Sequence, residues 1–159
     1  MNNYVLVHKS RKNLKKIGRK IVLELYNNEN VLSKYQIFNK YLYITSVEAA
    51  PEEVKLKYKL IKAKLCETKI EAIYDNVKNL ISSEDYIQTF AIKVERKGEH
   101  KFTSTELARE LAGSVFELFP DVSVDLTNAK FKVYVKVLNN KSLIYLSLIH
   151  ISEPTRLSW

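Results

Sequence analysis

Hydrophobic positions in the first part of the chain recur with spacings that predict short strands and one long helix. Tyr4–Val7 is an apolar run typical of a buried strand. From Leu14 to Leu25 apolar residues recur three or four positions apart, which predicts an amphipathic helix that ends in a group of asparagines. Two more apolar runs, Tyr35–Phe38 and Tyr41–Ile44, flank a turn at Asn39 and predict two adjacent strands.

The next stretch predicts a helix and then becomes ambiguous. Pro51 precedes two glutamates, a good start for a helix that the apolar spacing extends to Ile61. Between Cys66 and Tyr74 the alternation at residues 69–73 favours a strand, and Val77–Ile81 predicts a short helix. The polar residues 82–85 suggest a domain boundary.

The second half carries the clearest local signals. Thr89–Arg96 alternates apolar and charged residues, as a half-buried strand does, and Gly98 ends it. Thr103 and Glu106 are spaced as a capping box, so a helix should begin here and stop before Pro120. Three further strands are predicted at residues 122–126, 131–137 and 143–148.

This order predicts an α+β fold of two ferredoxin-like units, each a mainly antiparallel sheet covered by helices on one face. The order β-α-β-β-α-β fits the first half loosely and the second half less completely. The expected domains are residues 1–85, residues 86–148 and a tail at 149–159. The tail resembles a translated sequencing adapter, with a genuine disordered tail as the alternative; if it is foreign, the natural protein continues past about Tyr145.

Composition and charge narrow the function classes. The chain has 26 Lys and Arg against 18 Asp and Glu, a net charge of +8 that favours an anionic partner such as nucleic acid. Its single cysteine excludes an intrachain disulfide and argues against a cysteine-based zinc site. No apolar run is long enough for a membrane span, and no signal-peptide core opens the chain, so a cytoplasmic location is expected.

The first basic cluster lies at the start of the long helix. Like charges three and four positions apart repel one another unless an anion is bound, so the cluster favours an interaction surface; a solvated lysine face is the alternative. An anionic membrane surface is a further alternative partner. The candidate RNA-binding residues here are Lys12, Lys15, Lys16, Arg19 and Lys20.

The second basic cluster surrounds the corner between the strand at 89–96 and the capped helix. Gly98 would let a phosphate approach the backbone, and the N–H groups that start the helix add a positive dipole end. Contacts to phosphates supply affinity without sequence information. The candidate RNA-binding residues here are Lys93, Arg96, Lys97, Gly98, Lys101, Arg109, Lys130 and Lys132.

Signals for catalysis are weak. The three histidines are scattered, Cys66 has no histidine near it in sequence, and no carboxylate pair stands out. No phosphate-cradling or dinucleotide-binding glycine motif occurs. We expect no catalytic residue, cofactor or metal in this chain, with a small enzyme using Cys66 or a histidine as a weaker alternative.

The segment from Phe90 to Leu146 resembles a THUMP domain, the RNA-binding module of several tRNA- and rRNA-modifying enzymes. The resemblance rests on the basic strand, the Arg96-Lys97-Gly98 corner, the capped helix and the run Val124–Asn128. Residues 1 to about 85 resemble, by layout only, the ferredoxin-like domain that commonly precedes THUMP.

The resemblance implies binding to tRNA, often near its acceptor region, so that a distant nucleotide reaches a catalytic domain. It places Lys93, Arg96, Lys97, Lys101 and Arg109 at positions consistent with that role, and assigns Asp125 and Asn128 to bracing a turn. We expect the N-terminal part of a tRNA guanine-N2 methyltransferase that uses S-adenosylmethionine. Alternatives are the same part of a 4-thiouridine synthetase, or a free-standing adaptor that assists a partner enzyme in tRNA acetylation.

Overall fold

A computed structural model describes residues 2–6, 13–84 and 87–148 of the chain. The chain divides into two compact units, Met1–Ala63 and Lys64–Trp159. Each unit combines strands with helices, so the expected α+β class is confirmed. The predicted tail at 149–159 lies outside the described residues.

The first unit has the order β-α-β-β-α-β that we expected, although its last strand lies at residues 60–67 and not at residues 69–73. Its strands lie in the order β2-β3-β1-β4, and the pairs β2–β3, β3–β1 and β1–β4 are all antiparallel. This is the arrangement of a split β-α-β unit. The elements are β1 (Asn2–Leu6), α1 (Leu14–Glu29), β2 (Ser33–Phe38), β3 (Tyr41–Ser46), α2 (Glu52–Tyr58) and β4 (Leu60–Glu67).

Both helices of this unit pack on one face of its sheet. Leu6 and Leu42 are opposite one another on β1 and β3 and belong to the same buried cluster as Ile21 of α1 and Val54 of α2. The helix α1 comes so close to β2 that a Cβ at Gly18 would lie 2.7 Å from the ring of Tyr35. A glycine at this position therefore permits the packing distance.

The second unit contains a mixed sheet. Its strands lie in the order β8-β7-β5-β6; β7 and β8 are antiparallel, whereas β5 is parallel to both β7 and β6. A helix connects β5 to its parallel neighbours, as parallel pairing requires. The elements are α3 (Ile70–Ile81), β5 (Thr89–Lys97), α4 (Ser104–Leu118), β6 (Ser123–Val124), β7 (Phe131–Leu138) and β8 (Lys141–Leu148).

The core of the second unit lies between one face of this sheet and the helices α3 and α4. Phe90 of β5 and Val133 of β7 are buried there with Leu111 of α4 and Val77 of α3. The mainly antiparallel sheet that we expected is thus confirmed in the first unit and wrong in the second, because two of the three described pairings there are parallel.

Two local predictions between residues 58 and 74 are wrong. The helix α2 ends at Tyr58 because Lys59 adopts a left-handed conformation, and Ile61 lies in β4, a strand that the sequence analysis missed. Residues 70–73, expected as a strand, form the first turn of α3. The apolar spacing of three and four that continues to Ile81 outweighs the brief alternation.

The chain divides into its compact units between residues 63 and 64, upstream of the expected domain boundary at residue 85. The helix α3 packs against α4 and β8, so its contacts are those of the second unit. The domain assignment 1–85 and 86–148 remains a prediction, and the packing of α3 favours a second domain that begins earlier.

Candidate nucleic-acid interface

Side chains of the second basic cluster divide between the two faces of the sheet. Successive residues of a strand point to opposite faces. Arg96 has the parity of Phe90 and lies on the face that α3 and α4 cover, whereas Lys93 and Lys97 lie on the opposite face. Lys132 is paired with Ala91 and shares the face of Lys93. The structure therefore does not bring the predicted residues onto one continuous strand face.

Arg96 is the centre of a hydrogen-bond network at the corner between β5 and α4, residues 98–103. Its Nη1 atom donates to the carbonyl oxygen of Gly98 at 3.3 Å and lies 3.0 Å from Nδ1 of His100. The Nε2 atom of His100 lies 2.8 Å from the carbonyl oxygen of Asn139 in the β7–β8 turn. A carbonyl oxygen only accepts, so Nε2 carries the proton and Nδ1 accepts from Arg96.

The β7–β8 turn completes this network. The backbone N–H of Asn139 donates to the carbonyl oxygen of Lys97 at 2.9 Å. Gly98 has a φ of +108°, and a Cβ there would collide with the side-chain oxygen of Asn139. We predicted that Gly98 lets a phosphate approach the backbone, but the Asn139 side chain fills the space that the missing Cβ leaves. Gly98 therefore allows the β5–α4 corner to pack closely against the β7–β8 turn.

The start of α4 is already partly satisfied by its own residues. The capping box is confirmed: Glu106 N–H donates to Thr103 Oγ1 at 3.1 Å, and Thr103 N–H donates to Glu106 Oε1 at 2.8 Å. The Glu106 carboxylate therefore lies at the positive end of the helix. This weakens the expectation that the helix start attracts a phosphate.

A turn between β6 and β7 positions two further lysines. Asp125 accepts from the N–H groups of Asn128 and Thr127, and these hydrogen bonds lower the pKa of its carboxyl group. Lys93 Nζ donates to the carbonyl oxygen of Leu126 at 3.0 Å, which fixes this lysine against the turn. Lys130, at the other end of the turn, donates its backbone N–H to Thr89 Oγ1 at 3.0 Å. The expected bracing role of Asp125 agrees with these contacts.

Four basic residues of the second cluster have exposed side chains. None of them forms an ion pair with another residue in the described ranges 2–6, 13–84 and 87–148. Lys132 and Lys93 are half-buried by comparison. The exposed residues are Lys97 at the end of β5, Lys101 in the corner, Arg109 on α4 and Lys130 before β7.

The first basic cluster lies on the outer side of α1. Lys15, Lys16, Arg19 and Lys20 are exposed, opposite the side of the helix that Ile21 buries. The helix has no side-chain cap and no acidic residue in its first turn, so nothing in that turn offsets the lysines near its positive end. The predicted member Lys12 lies outside the described residues.

Two features of these surfaces were not predicted from the sequence. Asn139 was not among the predicted site residues, because its contact with Gly98 joins positions far apart in sequence. Tyr26 was not among the predicted site residues either, although 53% of its surface is exposed. The exposure of Tyr26 could have been predicted, because helical spacing places this residue on the side of α1 opposite Ile21.

Other chemistry finds little support among the described residues. They contain no group of three or more histidine, cysteine, aspartate or glutamate residues that could hold a metal ion. Burial raises the pKa of the Cys66 thiol to about 11, so it is protonated and a poor nucleophile at neutral pH. No helix within these residues is long and apolar enough to cross a membrane.

Comparison with known proteins adds a family and a fold. The sequence model of the THUMP domain family matches residues 67–147. A probable tRNA sulfurtransferase of Methanobrevibacter smithii is 46% identical over 56 residues, which are 35% of this chain and 14% of that protein. The chain spans about a fifth or less of the length of the curated relatives that it matches.

Solved structures share the fold at low sequence identity. A 4-thiouridine synthetase in complex with RNA and ATP is similar with a TM-score of 0.67 and 20% identity, over 92% of this chain and 41% of that one. The putative methyltransferase SMU.472 is similar with a TM-score of 0.56 and 11% identity, over 91% and 41% respectively. These identities show a common fold alone.

Proposed function

Because this chain belongs to the THUMP domain family, we propose that it binds tRNA and positions it for a tRNA-modifying catalytic centre. The family match over residues 67–147 is the observation that carries the proposal. The names of the curated relatives support tRNA as the nucleic acid. The contribution of this chain is binding, for which its net charge of +8 is suited.

The exposed cations of the second unit support phosphate contact. Lys97, Lys101, Arg109 and Lys130 are not neutralised by carboxylates among the described residues. Lysine and arginine contacts to phosphates release counterions and fix orientation without reading bases. Such a surface recognises the shape of a folded RNA, as a tRNA-binding module requires.

Sulfur transfer is supported at least as well as methyl transfer for the enzyme that this chain serves. From the sequence alone, we expected a tRNA guanine-N2 methyltransferase first. The curated relatives, however, include several tRNA sulfurtransferases, and a 4-thiouridine synthetase shares the fold. The putative methyltransferase SMU.472 supports the other reaction through fold alone. We therefore place sulfur transfer ahead as the proposed reaction.

The test is a titration of the chain with unfractionated tRNA and with duplex DNA across a salt series. We expect tighter binding to tRNA, with log K falling linearly in log salt. The double variant Lys97→Ala/Lys101→Ala should weaken tRNA binding and lower the slope by about one for each phosphate that the variant no longer neutralises. Equal affinity for tRNA and DNA would reduce the function to general attraction by charge.

A matched control removes two lysines of the same unit outside the predicted cluster. Lys69 and Lys78 are surface residues paired with Glu67 and Glu117. Exposed ion pairs contribute little to stability, so Lys69→Ala/Lys78→Ala should fold normally. It lowers the net charge by the same amount as the test variant. If both variants bind tRNA equally weakly, the position of the charges does not matter and the proposed surface is wrong.

A further inference from the structure

Two large apolar side chains lie on the outer side of α1, away from the core. Leu23 is 58% exposed and Tyr26 is 53% exposed. The opposite side of the helix supplies Ile21 and Leu25, which are fully buried in the first unit. The other described tyrosines are buried or half-buried. Tyr26 is exposed because it lies on the outer side of α1.

The exposed tyrosine continues the stripe of basic residues along α1. With 3.6 residues per turn, Arg19, Leu23 and Tyr26 lie on one side of the helix, and Lys15 and Lys16 lie one turn before Arg19. At 1.5 Å per residue, the stripe from Lys15 to Tyr26 is about 16 Å long. Cations thus occupy one end of the stripe and an aromatic ring the other.

The glutamate in the middle of this helix does not neutralise the stripe. Glu24 accepts hydrogen bonds from Tyr58 at 2.7 Å and from Lys57 at 3.1 Å, both in α2. These contacts draw its carboxylate toward α2 and lower its pKa, mainly through the Tyr58 hydroxyl. The outer stripe therefore keeps its positive charge.

We propose that Tyr26 stacks on an unpaired base of a bound RNA whose phosphates lie along Lys15, Lys16 and Arg19. The proposal rests on the RNA-binding function above and adds a second contact surface, in the first unit. Aromatic rings beside basic residues bind unpaired nucleotides, because the base stacks on the ring and the cations contact the phosphates of the backbone. Leu23 provides apolar surface next to the ring.

An anionic membrane fits the same stripe less well. A helix that lies in a membrane interface needs a broad apolar face to insert. The apolar side of α1 is already buried against the sheet of its own unit, with Ile21 and Leu25 fully covered. Only Leu23 and Tyr26 would remain to insert, which favours RNA as the partner.

The experiment measures binding of Tyr26→Ala to a single-stranded RNA oligonucleotide, to a blunt RNA duplex and to tRNA. We expect the single-strand affinity to fall roughly 5- to 150-fold, and the duplex affinity to stay the same. Tyr26→Phe should bind like the parent, because stacking needs the ring and not the hydroxyl. Leu56→Ala, which alters a side chain of α2 that is 74% exposed, is the matched control.

Salt dependence separates stacking from charge. Tyr26→Ala should keep the salt slope of the parent, whereas Arg19→Ala should lower it by about one. If Tyr26→Ala binds the single strand and tRNA as tightly as the parent does, the inference is overturned. The proposed function still stands in that case, because it rests on tRNA binding by the parent. Absence of any RNA binding by the parent would overturn both. Binding to phosphatidylserine vesicles that depends on Tyr26, with RNA binding unaffected, would overturn the inference and assign the stripe to membranes.

Discussion

Replacing Gly98 by alanine tests how the β5–α4 corner is held. The glycine has a φ of +108°, which residues with a Cβ rarely adopt. Its missing Cβ leaves the space that the Asn139 side chain occupies. The substitution therefore imposes two separate costs, one on the backbone and one on packing, and a second substitution can remove only the latter.

The size of each cost follows from the geometry. Forcing alanine into a sparsely populated backbone region costs about 1–3 kcal/mol. A collision in a packed site adds about 1–3 kcal/mol. We expect Gly98→Ala to lower the free energy of unfolding by about 3 kcal/mol in the parent. In the Asn139→Gly background the collision with the side-chain oxygen is gone and only a 3.3 Å approach to the Cα of residue 139 remains, so the expected cost is about 1.5 kcal/mol.

Asn139→Gly is a suitable partner because it changes little else. Asn139 itself has a φ of 53°, which glycine adopts freely, and the contacts of this residue with Lys97 and His100 use backbone atoms. Urea unfolding of the four proteins, followed by circular dichroism, gives the double-mutant cycle. If Gly98→Ala costs the same in both backgrounds, the collision with Asn139 is not the cause of the packing cost. If it costs less than about 0.5 kcal/mol in the Asn139→Gly background, the left-handed backbone is not the cause of the remaining cost.

Three further predictions concern single residues. Thr103→Ala removes the cap of α4 and should cost about 1 kcal/mol in urea unfolding, whereas Ser104→Ala, beside it, should cost less. The depressed pKa of Asp125 means that its carboxylate stabilises the fold above its ordinary pKa and that this gain is lost as pH falls through the folded-state value. The stability difference between the parent and Asp125→Asn should accordingly shrink at low pH; a difference that is constant with pH would contradict this. Cys66, with its pKa near 11, should react slowly with iodoacetamide at pH 7 and faster as pH approaches 11, and fast reaction of the folded chain at pH 7 would show that the thiol is not held as described.

Elements whose signals are local were predictable from the sequence. The capping box needs only Thr103 and Glu106, three positions apart, and the structure forms both of its hydrogen bonds. The alternation in β5 likewise predicted that Phe90, Ile92 and Val94 face the core, because a strand places every second side chain on one face. It did not predict that Ala91, on the opposite face, is buried as well. Helical spacing predicted α1 and its buried side, because residues three and four positions apart lie on one side of a helix.

Elements that depend on tertiary pairing were not predictable in the same way. The strand β4 follows directly on α2, and only the left-handed Lys59 separates them. β4 pairs with β1, which lies at the start of the chain, so its signal is non-local. The parallel pairing of β5 with β7 was missed because alternation reports which face is buried and not the direction of the neighbouring strand.

The candidate site shows the same division. Strand parity alone indicated that Arg96 and Lys97 point to opposite faces, although the sequence analysis grouped them by charge. The engagement of Arg96 with His100 and of His100 with Asn139 brings together residues on separate elements, which no spacing rule predicts. Charge in sequence thus selected the candidate region, which stays a prediction, and packing decided which of its cations face outward.

This division separates two kinds of basic residue at the corner. Arg96 contacts a backbone carbonyl and a histidine, so its charge is used to hold β5, the corner and the β7–β8 turn together. Lys97 and Lys101 are exposed and have no carboxylate partner in the described ranges, so their charge is available to an anion. The proposed function therefore predicts that removing the Arg96 side chain lowers stability and RNA binding together, whereas removing the two lysine side chains lowers RNA binding alone. A corner that is held by hydrogen bonds without using the side chains of its outward lysines is suited to present them to a folded RNA.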